Sequence, residues 1–171
     1  VKLLKHWSDN MWNSLKEFTQ WYKDAGYPMR PPTEDPIYVT DHSYSAIVYR
    51  EGRYQVELYM LGPNWSTPHH SHPGIEHDII FLNGTVYGYK DGEKLEDAMA
   101  YTNVANSDGT NIAFGQSHHF EGECSHVVGT GPKGGLIAIT QYWPEGIKMS
   151  SQSVHYVGAP IGPEHSKYIS V

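Results

Sequence analysis

Residues 68–84 read PHHSHPGIEHDIIFLNG, with His70 and His72 two apart, Glu76 and His77 beyond a Pro73-Gly74 turn, and Gly84 at the end. Side chains on a strand alternate faces, so imidazoles at positions i and i+2 point the same way. Convergent nitrogen donors of this kind suit a divalent metal, which also needs further ligands from nearby chain. Glu76 or His77 is placed to supply the third. The His118-His119 pair downstream offers a fourth.

Working outward, the sequence around this segment has period 2. Residues 53–61, RYQVELYML, set Tyr54, Val56, Leu58 and Met60 on one face and Arg53, Gln55, Glu57 and Tyr59 on the other, the pattern of a half-buried antiparallel strand. Further strands are expected at 36–40, 45–50, 77–83, 85–90, 111–114, 118–128, 135–143 and 154–157. Asn83-Gly84, Asp91-Gly92 and the Gly131-Pro132-Lys133-Gly134-Gly135 run suit the turns between them. Short strands at this spacing imply an all-β sandwich or barrel.

The N-terminal stretch differs. Trp7, Met11, Leu15, Phe18, Trp21 and Tyr22 recur at helical spacing, with Ser8 or Asp9 as cap, Gly26 as terminator and Pro28 preventing continuation. This predicts an amphipathic helix within residues 1–26 covering a face or edge of the sheet. Trp12 lies off the stripe, leaving a second contact open, such as a homodimer partner. A proline-rich linker follows at 26–36. The expected organisation is one domain over 1–171, with a barrel at 36–157 and an irregular tail at 158–171.

The chain has 171 residues, enough for one buried core. A formal charge of −7 argues against nucleic acid or an anionic membrane as partner and leaves a small-molecule substrate as the expectation. A single cysteine, Cys124, permits no intrachain disulfide, and no apolar run suits a leader or a membrane span, so a soluble cytoplasmic protein is expected. Eleven histidines are many for this length, and six fall at 69, 70, 72, 77, 118 and 119.

The 68–84 segment resembles the first motif of the cupin superfamily, G-x5-HxH-x(3,4)-E-x6-G. His70 and His72 match the HxH, Glu76 or His77 the third ligand, and Gly84 the closing glycine. The second motif, G-x5-PxG-x2-H-x3-N, is echoed by Gly109, Gly115 and His118 in DGTNIAFGQSHHF, with Ala113 in place of its proline. The resemblance covers roughly residues 45–143 and implies a jelly-roll barrel, here with an added N-terminal helix.

It also implies metal ligands His70, His72, His118 and either His77 or Glu76. Counting back from Gly84, only His77 leaves the six intervening residues of the motif, which favours it; a bulge would admit Glu76. With His77 inward, Ile79 and Phe81 share the lumen.

Such a site suits one divalent transition metal, with Fe(II) first and Zn, Ni, Mn or Cu as alternatives. An Fe(II)-dependent dioxygenase is the first function the resemblance implies. A redox-neutral lyase or isomerase is the second, with Glu76, Tyr87 or Tyr89 as candidate general bases. A non-catalytic small-molecule binder is the third. The all-histidine set is similar to that of the thiol dioxygenases, although Cys124 lies beyond His118, out of place for their Cys-Tyr crosslink.

Overall fold

The computed structural model describes residues 12–32, 38–39, 43–67, 70–72, 74–90, 99–102, 114–120, 126–147, 149 and 155–156. The Asp91-Gly92 turn, Cys124, the tail at 158–171, most of the strand expected at 111–114 and the first eleven residues lie outside them.

One helix and nine strands make up the described chain: α1 Leu15–Asp24, β1 Tyr38–Val39, β2 Ser43–Glu51, β3 Tyr54–Leu61, β4 His70–Ser71, β5 Glu76–Lys90, β6 Met99–Thr102, β7 Ser117–Phe120, β8 His126–Tyr142 and β9 His155–Tyr156. The expected all-β class holds, and every strand pairing is antiparallel.

The helix begins later than its apolar stripe suggested. Ser14, in extended conformation, is its cap, and its Oγ accepts from the Glu17 N–H at 3.2 Å. Glu17 in turn accepts from the Asn13 N–H at 2.9 Å, so two N–H groups at this helix start are satisfied. At the other end, the Gly26 N–H donates to Lys23 O and the Tyr27 N–H to Tyr22 O, with Gly26 at φ +83°. This is a Schellman termination, and it needs the left-handed residue the sequence places there.

β8 is the centre of the sheet. Its second half, from Gly135 onward, lies between β3 and the first half of β5. Its first half pairs with the second half of β5 and, at His126, with β4. The free edge of β5 is taken by β7 over 77–80 and by β6 over 85–88.

Two expected hairpin turns are corrected. Asn83-Gly84 does not end a strand, and neither does the run 131–135: β5 continues for 15 residues and β8 for 17. Gly84 instead pairs with Gly135, flanked by register shifts where both strands bend. A Cβ on Gly84 (φ +83°) would run into the Gly134 carbonyl, so only glycine lets the two backbones cross at this corner. β6 was not expected, and the strand expected at 118–128 resolves into β7 and the start of β8, with 121–125 outside the described residues.

The sheet separates two cores. On its outer side Leu15, Phe18 and Tyr22 of α1 pack with Val48, Tyr49, Val56, Ile80 and Ala138. Trp12 joins them, its ring 4.7 Å from Phe18 and 5.1 Å from Tyr54. Trp12 thus packs within its own chain, because it precedes the helix and its direction is set by the turn at 13–14. Thr19 fixes the helix polar-side, donating to Asp78 Oδ2 at 2.6 Å and meeting Thr140 Oγ1 at 2.6 Å. On the inner side Tyr59, Leu61, Ile79, Phe81, Val86, Val128 and Ile137 form the second core. Both faces of β3 are therefore covered, where its alternation suggested one.

Candidate metal centre

The inner core opens at one end onto histidines carried by three separate segments. His70 comes from β4, His72 from the turn that follows it, and His126 from the first position of β8. β4 pairs with β8 so that His70 and His126 are direct cross-strand partners, with ring centroids 4.4 Å apart. The HxH spacing brings His72 to the same side, its ring 5.1 Å from His70 and nearly parallel to His126 at 5.6 Å. One ring nitrogen from each of His70, His72 and His126 lies within 4.8 Å of the others. Such a group could hold a metal ion.

His77 stands beside this set on β5, its ring 4.7 Å from His72 and 5.0 Å from His126. It is 2% exposed, whereas Glu76 is exposed and turned outward. Strand alternation carries the same distinction onward. Ile79 and Phe81 follow His77 into the inner core, while Asp78 and Ile80 face the helix.

Burial and mutual proximity act on the imidazoles together. His72 is held well below its ordinary value of 6.5 by desolvation first, then by the neighbouring His77 and His126. His77 is lowered in the same way by desolvation, then by His126, His70 and His119, against a backbone hydrogen bond at Ile75. Both are neutral near pH 7, the form that donates a lone pair to a metal.

His118, expected as the last ligand, is not among the converging three, of which His126 is the third. His118 pairs with Ile79 across β7 and β5, on the edge of β5 away from β8. Its face is correct by parity, but its strand is on the wrong side of β5. His119 points outward, as alternation requires, and its Nδ1 lies 2.6 Å from Asp78 Oδ1.

His126 lies outside both histidine clusters of the sequence and matches neither motif. A signal for it existed, since on a strand over 118–128 it shares parity with His118, eight residues further on. The candidate bases also change. Register shifts at Phe81/Asn83 and Gly84/Val86 reverse the alternation along β5, so Val86 enters the inner core. Tyr87 consequently lies over Gly129 on the other face, where its ring fills the space a Cβ would take. The side chain of Tyr89 lies outside the described residues.

Below the histidines is a narrow cavity of about 30 Å3. Ile79, Ile137, Ile139 and Val128 supply its apolar wall, and Glu57, Tyr59 and Gln141 its polar atoms. Glu57 is 1% exposed and accepts from Ser45 Oγ at 2.5 Å. Gln141, the cross-strand neighbour of His77, accepts from Gln55 Nε2 at 2.9 Å and from Trp143 Nε1 at 3.3 Å. Neither residue stood out in the sequence as part of a site; for Glu57 the reason is that the inward face of β3 reads as the polar, solvent-side face of an ordinary strand.

Neither a family model nor a curated protein matches the chain. Among solved structures, it is similar to a cupin-like protein from Thermotoga maritima MSB8, at 15% identity and a TM-score of 0.51, over 81% of this chain and 94% of that one. It is also similar to an RmlC-like cupin from Shewanella frigidimarina NCIMB 400, at 12% identity and a TM-score of 0.50, over 69% of this chain and 92% of that one.

Proposed function

Because this chain has the fold of the cupin superfamily, we propose that it is a metal-binding cupin acting on a small molecule, with His70, His72 and His126 as metal ligands and His77 as the adjoining fourth nitrogen. The observation that carries this is the convergence of three ring nitrogens within 4.8 Å of one another at one end of the inner core. Clustering imidazoles on a buried wall is costly for a fold unless something uses them, since each adds a desolvated polar group. A bound ion would use them.

The donor set is all nitrogen, which suits Fe(II), Zn, Ni or Cu better than Mg or Ca. Iron(II) is the first candidate and dioxygenase-type oxidation the first reaction class. When bound, the metal supplies a Lewis acid and, as iron, a redox centre for dioxygen. The residues of this chain then have definite tasks. His70 and His126 fix each other through the β4–β8 pairing, His72 is set by the turn at Gly74, and Ile79, Ile137 and Ile139 keep water away from the inner side of the metal.

The test has two stages. Purified protein, stripped and reloaded, is expected to bind one equivalent of a transition metal, and His126→Ala to lose it while Glu76→Ala and His118→Ala keep it. Metal-free protein with an intact fold under all loadings would overturn the proposal. Oxygen uptake by the iron-loaded protein with small thiols, diketones and aromatic diols then decides the reaction class. No uptake with any of them moves the assignment to redox-neutral lyase or isomerase chemistry.

A further inference from the structure

At the layer of the imidazoles, one row of inward residues crosses three strands. Gln55 on β3 is the register partner of Gln141 on β8, and Gln141 is that of His77 on β5. All three are buried, and Gln141 and His77 line the cavity.

The direction of the two amides is fixed from both ends by groups that can only donate. Arg50 has no acceptor, so Gln55 turns its Oε1 to the guanidinium, which donates from Nε at 2.9 Å and from Nη2 at 2.6 Å. That leaves Gln55 Nε2 to donate to Gln141 Oε1 at 2.9 Å. Trp143, two residues along β8, meets the same oxygen with its indole N–H at 3.3 Å, and an indole nitrogen is a donor alone. Two donors from different strands therefore hold the Gln141 oxygen toward β3 and Trp143. The other arm of the amide, Nε2, is left on the side of β5 and the cavity, and it donates to no described residue. A buried N–H costs free energy unless something accepts from it.

The size of the space says what the acceptor is. A cavity of about 30 Å3 has room for about one water-sized molecule. The isoleucine wall shuts out bulk water and offers such a molecule no hydrogen bond. A lone pair lying beside the imidazoles would meet the Gln141 N–H.

We propose that Gln141 is the ligand-orienting donor of this centre, with its Nε2–H holding one water-sized acceptor, a small anion of the size of hydroxide or fluoride, beside the metal. The proposal rests on the metal-binding function above and names the class of small ligand taken on the inner side of the same site.

Fluoride is the probe, because it is water-sized and only accepts. It is titrated into cobalt(II)-loaded protein, and broadening of its NMR line by the paramagnetic ion reports its Kd. Wild-type protein is expected to bind it. Gln141→Met keeps the length of the side chain, adds no charge and removes the N–H, and it is expected to weaken fluoride at least about tenfold with cobalt stoichiometry unchanged. Gln55→Glu tests the polarity from behind Gln141. It keeps an oxygen for Arg50, which offsets the new charge, and puts an acceptor where Gln141 now meets a donor. A charge-assisted bond to that acceptor outweighs the 3.3 Å bond from Trp143. The Gln141 amide then turns its Nε2 toward β3, and fluoride is again expected to weaken about tenfold with cobalt retained. This variant carries the test alone should Gln141→Met not fold.

Unchanged fluoride affinity in either folded variant overturns the proposal, as does cobalt-loaded wild type that takes up no fluoride. Loss of cobalt from folded Gln141→Met also overturns it, by making Gln141 a metal ligand. Failure of the wild type to take up cobalt sinks the metal function itself, so the two failures are distinguishable.

Discussion

The two faces of strands β3, β5 and β8 share one backbone and carry opposite chemistries. On the outer face Val56, Ile80 and Ala138 meet the aromatic stripe of α1, and a polar group of three there, Thr19 with Asp78 and Thr140, has hydrogen bonds made. On the inner face the same strands present Glu57, His77 and Gln141 to a narrow cavity. The outer face is packed as a protein interior is and supplies stability. The inner face holds buried imidazoles and a carboxyl, groups that cost free energy to desolvate. The difference teaches that fold stability and ligand chemistry reside on opposite sides of one sheet, and so are separable by mutation.

The largest effect expected from breaking this division is on the outer face. Phe18 is fully buried against Trp12, Trp21, Tyr22, Tyr49 and Tyr54. Phe18→Ala should cost about 3–5 kcal/mol in denaturant unfolding, while the protein that remains folded keeps its metal stoichiometry. A folded Phe18→Ala protein that had lost its metal would contradict the separation of the two faces.

The reciprocal change is His126→Ala on the inner face. Metal titration should show affinity weakened at least about 100-fold, or about 2.7 kcal/mol, with the helix-side packing intact by near-UV circular dichroism.

Acid should act on the inner face first. His72 and His77 have folded-state values well below 6.5, so in acid the unfolded chain binds more protons than the folded one. The stability their neutrality contributes is complete above about 6.5 and is lost as pH falls from there toward the depressed folded values. Denaturation midpoints of metal-free protein measured from pH 7 to pH 4.5 should fall, and bound metal should delay the fall. A flat profile would mean that the imidazoles are not held neutral.

The smallest effect sharpens the outer face alone. Ser14→Ala removes the cap of α1 and should cost about 1 kcal/mol, read as a shifted midpoint with no change in metal affinity.

Much of this was legible from local pattern. The HxH pair, His77 rather than Glu76 as the inward residue on the count back from Gly84, and the termination of the helix at Gly26 all follow from rules that act over a few residues. Strand period, turn length and the left-handed tolerance of glycine are local physics. The misassignments share a different cause. Asn83-Gly84 and the glycines at 131–135 carry the composition of hairpin turns, yet they are where two long strands cross, because a backbone that must pass another at close range needs glycine as much as a tight turn does.

By itself, then, the sequence determined the all-β class, the amphipathic helix and the side of the strand on which His70, His72 and His77 sit. Only the tertiary structure decided which distant residues join them. His126 over His118, Val86 over Tyr87, and Glu57 in the lumen depend on which strands are neighbours and on the bulges that reverse alternation at the β5–β8 corner. Periodicity records the face a side chain takes on its own strand; it carries no information about which strand lies across the barrel, since that is settled by the summed packing of the whole sheet.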